Sequence, residues 1–174
     1  MSLPIRPGTP QDAPALHALI AANVAAGHLL PRTLDDLREH APRFAVVTSR
    51  RRIVGCAELA PLSDEVAEIR SLVVDERHRG RRLGVRLVDE LKRRAHRDGF
   101  ATLCAFTHQP THFIRLGFSI VPHQWVPEKI AHDCCGCPFF RRCGQYAMVF
   151  ALEQAGREQP AAAQPALVLA GARA

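Results

Sequence analysis

Residues 66–99, VAEIRSLVVDERHRGRRLGVRLVDELKRRAHRDG, constrain this chain more than any other stretch. The opening run, Val66 to Val74, is rich in β-branched side chains and begins with polar/apolar alternation, which predicts a strand. The polar run Asp75-Glu76-Arg77-His78 breaks it. After Gly80 the period changes: Leu83, Leu87, Val88, Leu91 and Ala95 recur at three-to-four spacing and share one helical face. Asp89 with Arg93, and Glu90 with Arg94, stand four apart on the other face, acid first, the better order for helix pairing. Gly99 is a suitable stop. The product is strand, basic glycine-bearing loop, helix. The first turn of such a helix presents unpaired N–H groups and the positive end of the dipole, so it attracts phosphate. Gly80 and Gly84 carry no Cβ and allow close approach to the backbone. Arg77, Arg79, Arg81 and Arg82 add charge suited to a pyrophosphate or a phosphorylated ribose. A solvated basic turn has the same composition, but the position between strand and amphipathic helix favours an anion site.

The rest of the chain supplies more strands and helices around this unit. Residues 3–6 read as a short first strand. Thr9-Pro10-Gln11-Asp12 marks a helix start, with Leu16, Leu19, Ile20 and Val24 as the apolar face and Gly27 as the end. Residues 33–40 form a second short helix capped by Thr33. Residues 44–49 and 53–62 are strands joined by the hairpin turn Arg50-Arg51-Arg52. A strand over 102–106 completes a parallel strand–helix–strand crossover. Residues 111–116 are a short helix, and Gly117-Phe118 turns it into a strand over 119–121. Residues 122–144 read as irregular, and 145–152 as a last strand. These segments make one domain over 1–152. Beyond it, 153–174 is an Ala/Pro/Gln-rich tail with little to bury, expected to be disordered.

Composition narrows the class. With 174 residues and 47% hydrophobic content the chain can bury a sizeable core. No apolar run follows the start, and no stretch is long enough to span a bilayer, so a cytoplasmic protein without membrane partners is expected. The net charge of +6 suits an anionic ligand; with one Trp and one Tyr there are few platforms for stacking bases, which argues against nucleic acid. Six cysteines without a leader suggest reduced thiols or a metal, not a disulfide framework.

RHRGRRLG, after a strand and opening a helix, resembles the acetyl-CoA motif of the GNAT-type N-acetyltransferase superfamily, Arg/Gln-x-x-Gly-x-Gly/Ala. It falls on Arg79, Gly80, Arg81, Arg82, Leu83 and Gly84, with Arg82 in place of the middle glycine. No Gly-Lys-Ser/Thr follows, which argues against a nucleoside triphosphatase loop. The resemblance implies an α/β fold with a splayed, mixed, mostly antiparallel sheet flanked by helices on both faces. It implies acetyl-CoA as acetyl donor, with the backbone N–H groups around Val73 and Val74 as donors to the acetyl oxygen. THFIRLGF is similar to the short helix that follows the cofactor site in this superfamily. Many members carry a proton-donating tyrosine where this chain has Phe113. Another acid therefore serves, or the thiolate leaves unassisted, its thiol pKa lying near the cysteine value of about 8.5. His108 and His112 flank the expected acetyl site and could replace the tyrosine; surface or capping roles are the alternative.

AEIRSLVV, THFIRLGF and WVPEKIAHDCCGCPFFRRCGQYAMV together resemble the short stand-alone N-acetylglutamate synthases, which acetylate the α-amine of glutamate in the first step of arginine biosynthesis. Under that resemblance Glu68 is the candidate base; a solvated carboxylate, or a partner for Arg70 two residues on, is the alternative. Arg70, Lys129 and Arg142 are the candidate partners for the two carboxylates of glutamate. For Arg70 an ion pair with Glu68 stays open, and for Lys129 and Arg142 a surface role. Cys134-x-x-Cys137 with Cys143, and His132 or Cys135 as a fourth ligand, has part of a zinc pattern; small buried thiols are the preferred alternative, so no metal is assigned. A homodimer is left open. The rivals are an acetyltransferase of the same fold acting on another amine, a zinc-knuckle module that binds nucleic acid or protein without turnover, and an acyl-CoA-binding regulator.

Overall fold

Alternation along the strands buries two different sets of side chains, and these define the two faces of one sheet. The structure is a computed structural model that describes residues 3–24 and 29–152. The expected helix stop at Gly27 and the expected disordered tail lie outside the described residues. In chain order the elements are β1 (Ile5–Pro7), α1 (Ala13–Val24), α2 (Leu34–His40), β2 (Phe44–Ser49), β3 (Arg52–Pro61), β4 (Val66–Val74), α3 (Leu83–Arg97), β5 (Thr102–Thr107), α4 (Pro110–Ile114), β6 (Ser119–Val121), α5 (Pro127–Lys129) and β7 (Tyr146–Ala151). The strands lie in the order β1-β2-β3-β4-β5-β7-β6. Every pairing is antiparallel except β4 with β5, which the α3 crossover makes parallel.

On one face Ala45, Val47, Leu59, Ile69, Leu103 and Met148 pack against the apolar stripe of α3, Leu83, Leu87, Val88, Leu91 and Ala95, and against Phe113 of α4. On the other face Phe44, Val46, Cys56 and Val73 lie under α1 and α2. Further along that face Val66 and Cys104 are covered by Val126. Glu58, Glu68 and Arg70 sit on the strands between these two apolar patches, on the same face.

The boundaries follow local chemistry. Arg50 and Arg51 both take positive φ in the β2–β3 hairpin, the backbone a tight two-residue turn requires. Thr33 caps α2, its hydroxyl accepting from the Asp36 amide at 3.2 Å. Residues 122–144 depart from the irregular reading: α5 continues into a π-helical turn at Ile130–Cys134. Pro127 in the first turn and Glu128 behind it start this helix, signals that its shortness and the cysteine-rich sequence around it conceal.

The first helix is preceded by a 3₁₀ turn, Pro10–Asp12, that is pinned electrostatically. Asp12 accepts from the Thr9 amide at 2.8 Å and from the Arg6 guanidinium at 2.6 and 2.8 Å. The hydrogen bond from Arg6 outweighs burial and holds the Asp12 carboxyl down at about 2. A depressed folded-state value contributes stability that is present above the unfolded carboxyl pKa, near 3.9, and is lost as pH falls through the folded value. Asp12→Asn is therefore expected to cost about 1–2 kcal/mol at pH 7, discounted for the half-exposed Arg6, and almost nothing at pH 2. Urea unfolding of both proteins across pH 2–7 checks this.

Candidate active site

The sheet opens where β4 leaves β5. Val66 to Ile69 pair with Thr102 to Ala105, and no later residue of β4 pairs with β5. One irregularity coincides with this. Cys56 faces Val73 and Glu58 faces Arg70, so Ala57 alone stands opposite Ser71 and Leu72. Ser71 has a positive φ of 49°, a strained value for a residue with a Cβ. A bulge of this kind bends the strand and raises its local twist, which turns the end of β4 out of register with β5. Val73 and Val74 lie beyond the last β4–β5 pair, along the cleft so formed.

β4 leads into the loop. Asp75 caps a 3₁₀ turn over Glu76–His78, accepting from the Arg77 amide and from His78 Nδ1, each at 3.0 Å. The Arg79 amide is spent on the Glu76 carbonyl at 3.2 Å. From Gly80 to Gly84 the amides donate to no backbone carbonyl among the described residues; the next bond runs from Arg86 to the Arg82 carbonyl. Gly80 has φ +77° with nothing within 4 Å of its Cβ position. Arg82, where the family motif has glycine, takes the left-handed conformation at φ 57° and caps α3. This is a backbone conformation that glycine adopts freely, so Arg82 holds a glycine-favouring geometry with a side chain added. Arg79 reaches back to Asn23 on α1 at 3.2 Å. A set of free amides at the start of a long helix, bordering an opened strand pair, fits a diphosphate with a chain running into the cleft.

Beside the cleft the charged side chains form two adjoining ion-pair clusters, one around Glu68 and one around Glu58, which meet where Glu58 faces Arg70 across the β3–β4 pair. Glu68 is 3% exposed and Glu58 1%. Arg70 Nε donates to Glu68 Oε2 at 2.6 Å, and Lys129 Nζ donates to both Glu68 oxygens at 2.8 and 2.9 Å. Asp133, one helical turn after Lys129, accepts from Lys129 at 2.8 Å and from Arg70. On β3, Glu58 accepts from Arg32 at 2.7 Å; Arg32 also bonds Asp36 at 2.5 Å and Ser71 Oγ at 3.1 Å. Burial alone would raise the Asp133 carboxyl, but hydrogen bonds from Lys129 and His132 and the charges of Lys129 and Arg70 hold it below the usual range. Burial opposes the charge on Arg70 too, and Glu68 and Asp133 together raise its pKa above the ordinary value.

The model of the acetyltransferase (GNAT) family matches residues 16–118 of this chain, more than half of it. The chain belongs to the GNAT acetyltransferase family. It is an acetyl-CoA-dependent N-acetyltransferase with the GNAT fold. An uncharacterized N-acetyltransferase of Chlorobaculum tepidum is 30% identical over 138 residues, 79% of this chain and 89% of its own. An amino-acid acetyltransferase of Pseudomonas putida is 30% identical over 112 residues, 64% of this chain; the chain spans only 26% of that longer relative. The N-acetylglutamate synthase of Neisseria gonorrhoeae, solved with coenzyme A and N-acetyl-glutamate, superposes with a TM-score of 0.79 at 24% identity, over 88% of this chain and 36% of its own. Rv2747 of Mycobacterium tuberculosis, solved with CoA, superposes at 0.74 with 23% identity, over 86% and 99%.

The structure of this GNAT acetyltransferase brings Glu68, Arg70 and Lys129 together and leaves Arg142 outside their network, on an exposed 3₁₀ turn, Phe140–Arg142. Phe113 is buried, edge-on to Phe118 with centroids 5.2 Å apart, so no hydroxyl stands at that position. Burial pushes the Cys134 thiol above its ordinary pKa, with smaller contributions from Cys143 and Cys137. Among the described residues, however, no three His, Cys, Asp or Glu are arranged to hold a metal. No helix there is long and apolar enough to cross a membrane. Sequence reasoning missed Glu58, Arg32, Asp133 and His123. Asp133 had a signal in its four-residue spacing from Lys129, which needs the local helix to be recognised. His123 packs its ring 5.5 Å from Phe106 and keeps Nε2 buried without a partner.

Proposed function

We propose that this GNAT domain transfers the acetyl group of acetyl-CoA to the α-amine of an amino acid, and that the amino acid is L-glutamate. The observation that carries the reading is the convergence of Arg70 and Lys129 on Glu68, with Arg32 on the adjoining Glu58, beside the opened strands. Such cations can exchange a protein carboxylate for a substrate carboxylate at small electrostatic cost, because the charge they face is the same. The amino-acid acetyltransferase relatives and the N-acetylglutamate synthase fold support the same reading.

Bound acetyl-CoA supplies the acetyl group as a thioester, already activated toward amines. Glu68 takes the proton of the substrate ammonium, directly or through one water, so that the lone pair can attack. Arg70 and Lys129 fix the Glu68 carboxylate while leaving one of its lone-pair directions unused. Of the two expected donors, Val74 alone directs its amide away from β3, and it donates to the carbonyl oxygen as negative charge gathers there; the Val73 amide faces Cys56 on β3. Phe113 offers no proton, so the thiolate leaves without an acid from α4.

One observation favours a second reading. The carboxylates Glu58, Glu68, Asp36 and Asp133 outnumber the cations Arg32, Arg70 and Lys129 in the two clusters, which suits a cationic acceptor such as a polyamine. A thiol-release assay with acetyl-CoA and a panel of amino acids and polyamines separates the two. Turnover with glutamate and little with spermidine is expected; turnover with polyamines alone overturns the amino-acid reading.

A further inference from the structure

Four of the six cysteines fall between positions 134 and 143, and the acetyl-transfer chemistry uses none of them. They differ from the other two. Cys56 and Cys104 are buried in the sheet, where desolvation raises both thiols and keeps them inert. Cys134 and Cys137 are half-buried, and Cys135 and Cys143 are exposed. The chain turns between Cys134 and Cys137: the Cys137 amide donates to the Cys134 carbonyl at 3.0 Å. A turn closed in this way holds its first and last Cα within about 7 Å, and a disulfide needs about 4.4–6.8 Å. A Cβ on Gly136, inside the turn, would meet nothing within 4 Å, so the tip stands open to solvent. Cys135 is no rival partner for Cys134, since consecutive Cα atoms stand about 3.8 Å apart, below the disulfide range. Cys143 lies beyond the 3₁₀ turn Phe140–Arg142, its thiol directed at Gln145 Oε1 at 3.9 Å. The Cys134–Cys137 turn is also joined to the charged cluster around Glu68. Asp133 directly precedes Cys134 and accepts from Lys129 at 2.8 Å and from Arg70. The Cys135 amide donates to the Ile130 carbonyl at 3.2 Å, so the π-helical turn that carries Asp133 runs straight into the cysteine pair.

We propose that Cys134 and Cys137 form a reversible disulfide by exchange with a small-molecule disulfide, and that closing it weakens binding of the acceptor amine. Burial raises the Cys134 thiol, so Cys137 attacks first. Its thiolate bonds one sulfur of the oxidant and releases the other as a thiolate. The Cys134 thiolate then attacks the Cys137 sulfur of this mixed disulfide, closes the S–S bond and releases the second thiolate. Each cysteine gives up one proton and one electron, and one disulfide molecule becomes two thiols. The closed ring fixes the backbone next to Asp133 and leaves its carboxylate less free to swing off Arg70 and Lys129. A substrate carboxylate must displace it to reach them, so affinity falls. This effect on the acceptor rests on the amino-acid reading above; the exchange itself does not.

The full chain, held in reduced and in oxidised glutathione, alkylated and mapped by peptide mass spectrometry, tests the disulfide. The oxidised protein is expected to carry a Cys134–Cys137 link that dithiothreitol removes. Cys134→Ser and Cys137→Ser should each abolish the link, whereas Cys135→Ser and Cys143→Ser should leave it. Alkylation of both Cys134 and Cys137 after oxidation, or links only through other cysteines or between chains, would overturn the proposal. Steady-state kinetics of the two forms test the effect on the acceptor. KM for glutamate should be about fivefold higher in the oxidised form, the low end of coupling between two sites, with KM for acetyl-CoA changed by less than about twofold. Cys137→Ser should show no difference between the two conditions. A disulfide that forms and leaves KM for glutamate unchanged overturns the switch. No turnover with glutamate in the reduced protein is instead a failure of the amino-acid reading; it removes the effect on the acceptor, and the peptide map alone then decides the disulfide.

Discussion

Glu68→Gln should lower kcat at neutral pH by about 10²–10⁴-fold, the usual contribution of a positioned general base, and should recover part of the loss as pH rises. Recovery is the informative half. At high pH the amine arrives without its proton, and a missing base matters less. A purely structural carboxylate predicts a different pattern. Glu68 is buried and holds both Arg70 and Lys129, so losing its charge leaves two cations sharing Asp133. Removing one partner of a buried pair costs about 3–5 kcal/mol, and Gln offsets some of that through its carbonyl oxygen. Such a protein would melt earlier and lose active molecules at every pH, but the shape of its pH–rate profile would not change. Measuring Tm and the profile together separates the two effects. A profile identical in shape to the wild type's removes Glu68 from the proton transfer.

The scaffold around Glu68 was legible because its signals are local. The strand at Val66–Val74, the α3 stripe and the glycine-bearing loop each declare themselves by period or by turn residues within a few positions. The unpaired amides of Leu83 and Gly84 follow from helix geometry alone, and those of residues 80–82 in the loop before it make no backbone bond either. What could not be read is what depends on two distant segments meeting. Arg32 precedes α2 and Glu58 interrupts an apolar strand; nothing in either neighbourhood announces that they meet. The bulge at Ser71 is similar. Its positive φ belongs to a residue with no turn preference strong enough to mark it, and its cause is the unequal count of residues between paired strands. The segment at 127–134 was misread for a third reason: a helix of so few residues carries little periodicity, and its stability comes from Lys129 and Asp133 bonding across to β4.

Arg70→Ala should raise KM for glutamate by about 10–10²-fold while changing KM for acetyl-CoA by less than about threefold. The larger figure follows from hydrogen bonds to charged groups, worth about 1.5–3 kcal/mol each, made here by a guanidinium that presents two edges. Arg70 bonds Glu68 and Asp133 and lies opposite Glu58 across the β3–β4 pair, so its charge faces all three carboxylates. A substrate carboxylate entering there competes with Asp133, which stands on the short helix, more readily than with Glu68, which stands on the sheet. The variant therefore loses substrate affinity first and chemistry second, and kcat should fall much less than in Glu68→Gln. Arg70→Lys keeps the charge but not the fork, and an intermediate KM is expected if two-point contact matters. If both Michaelis constants rise alike in Arg70→Ala, the guanidinium is holding the sheet and the helix together for the cofactor as much as for the amine. The carboxylate contact would then have to come from Lys129 or Arg32, the two remaining cations of the two clusters.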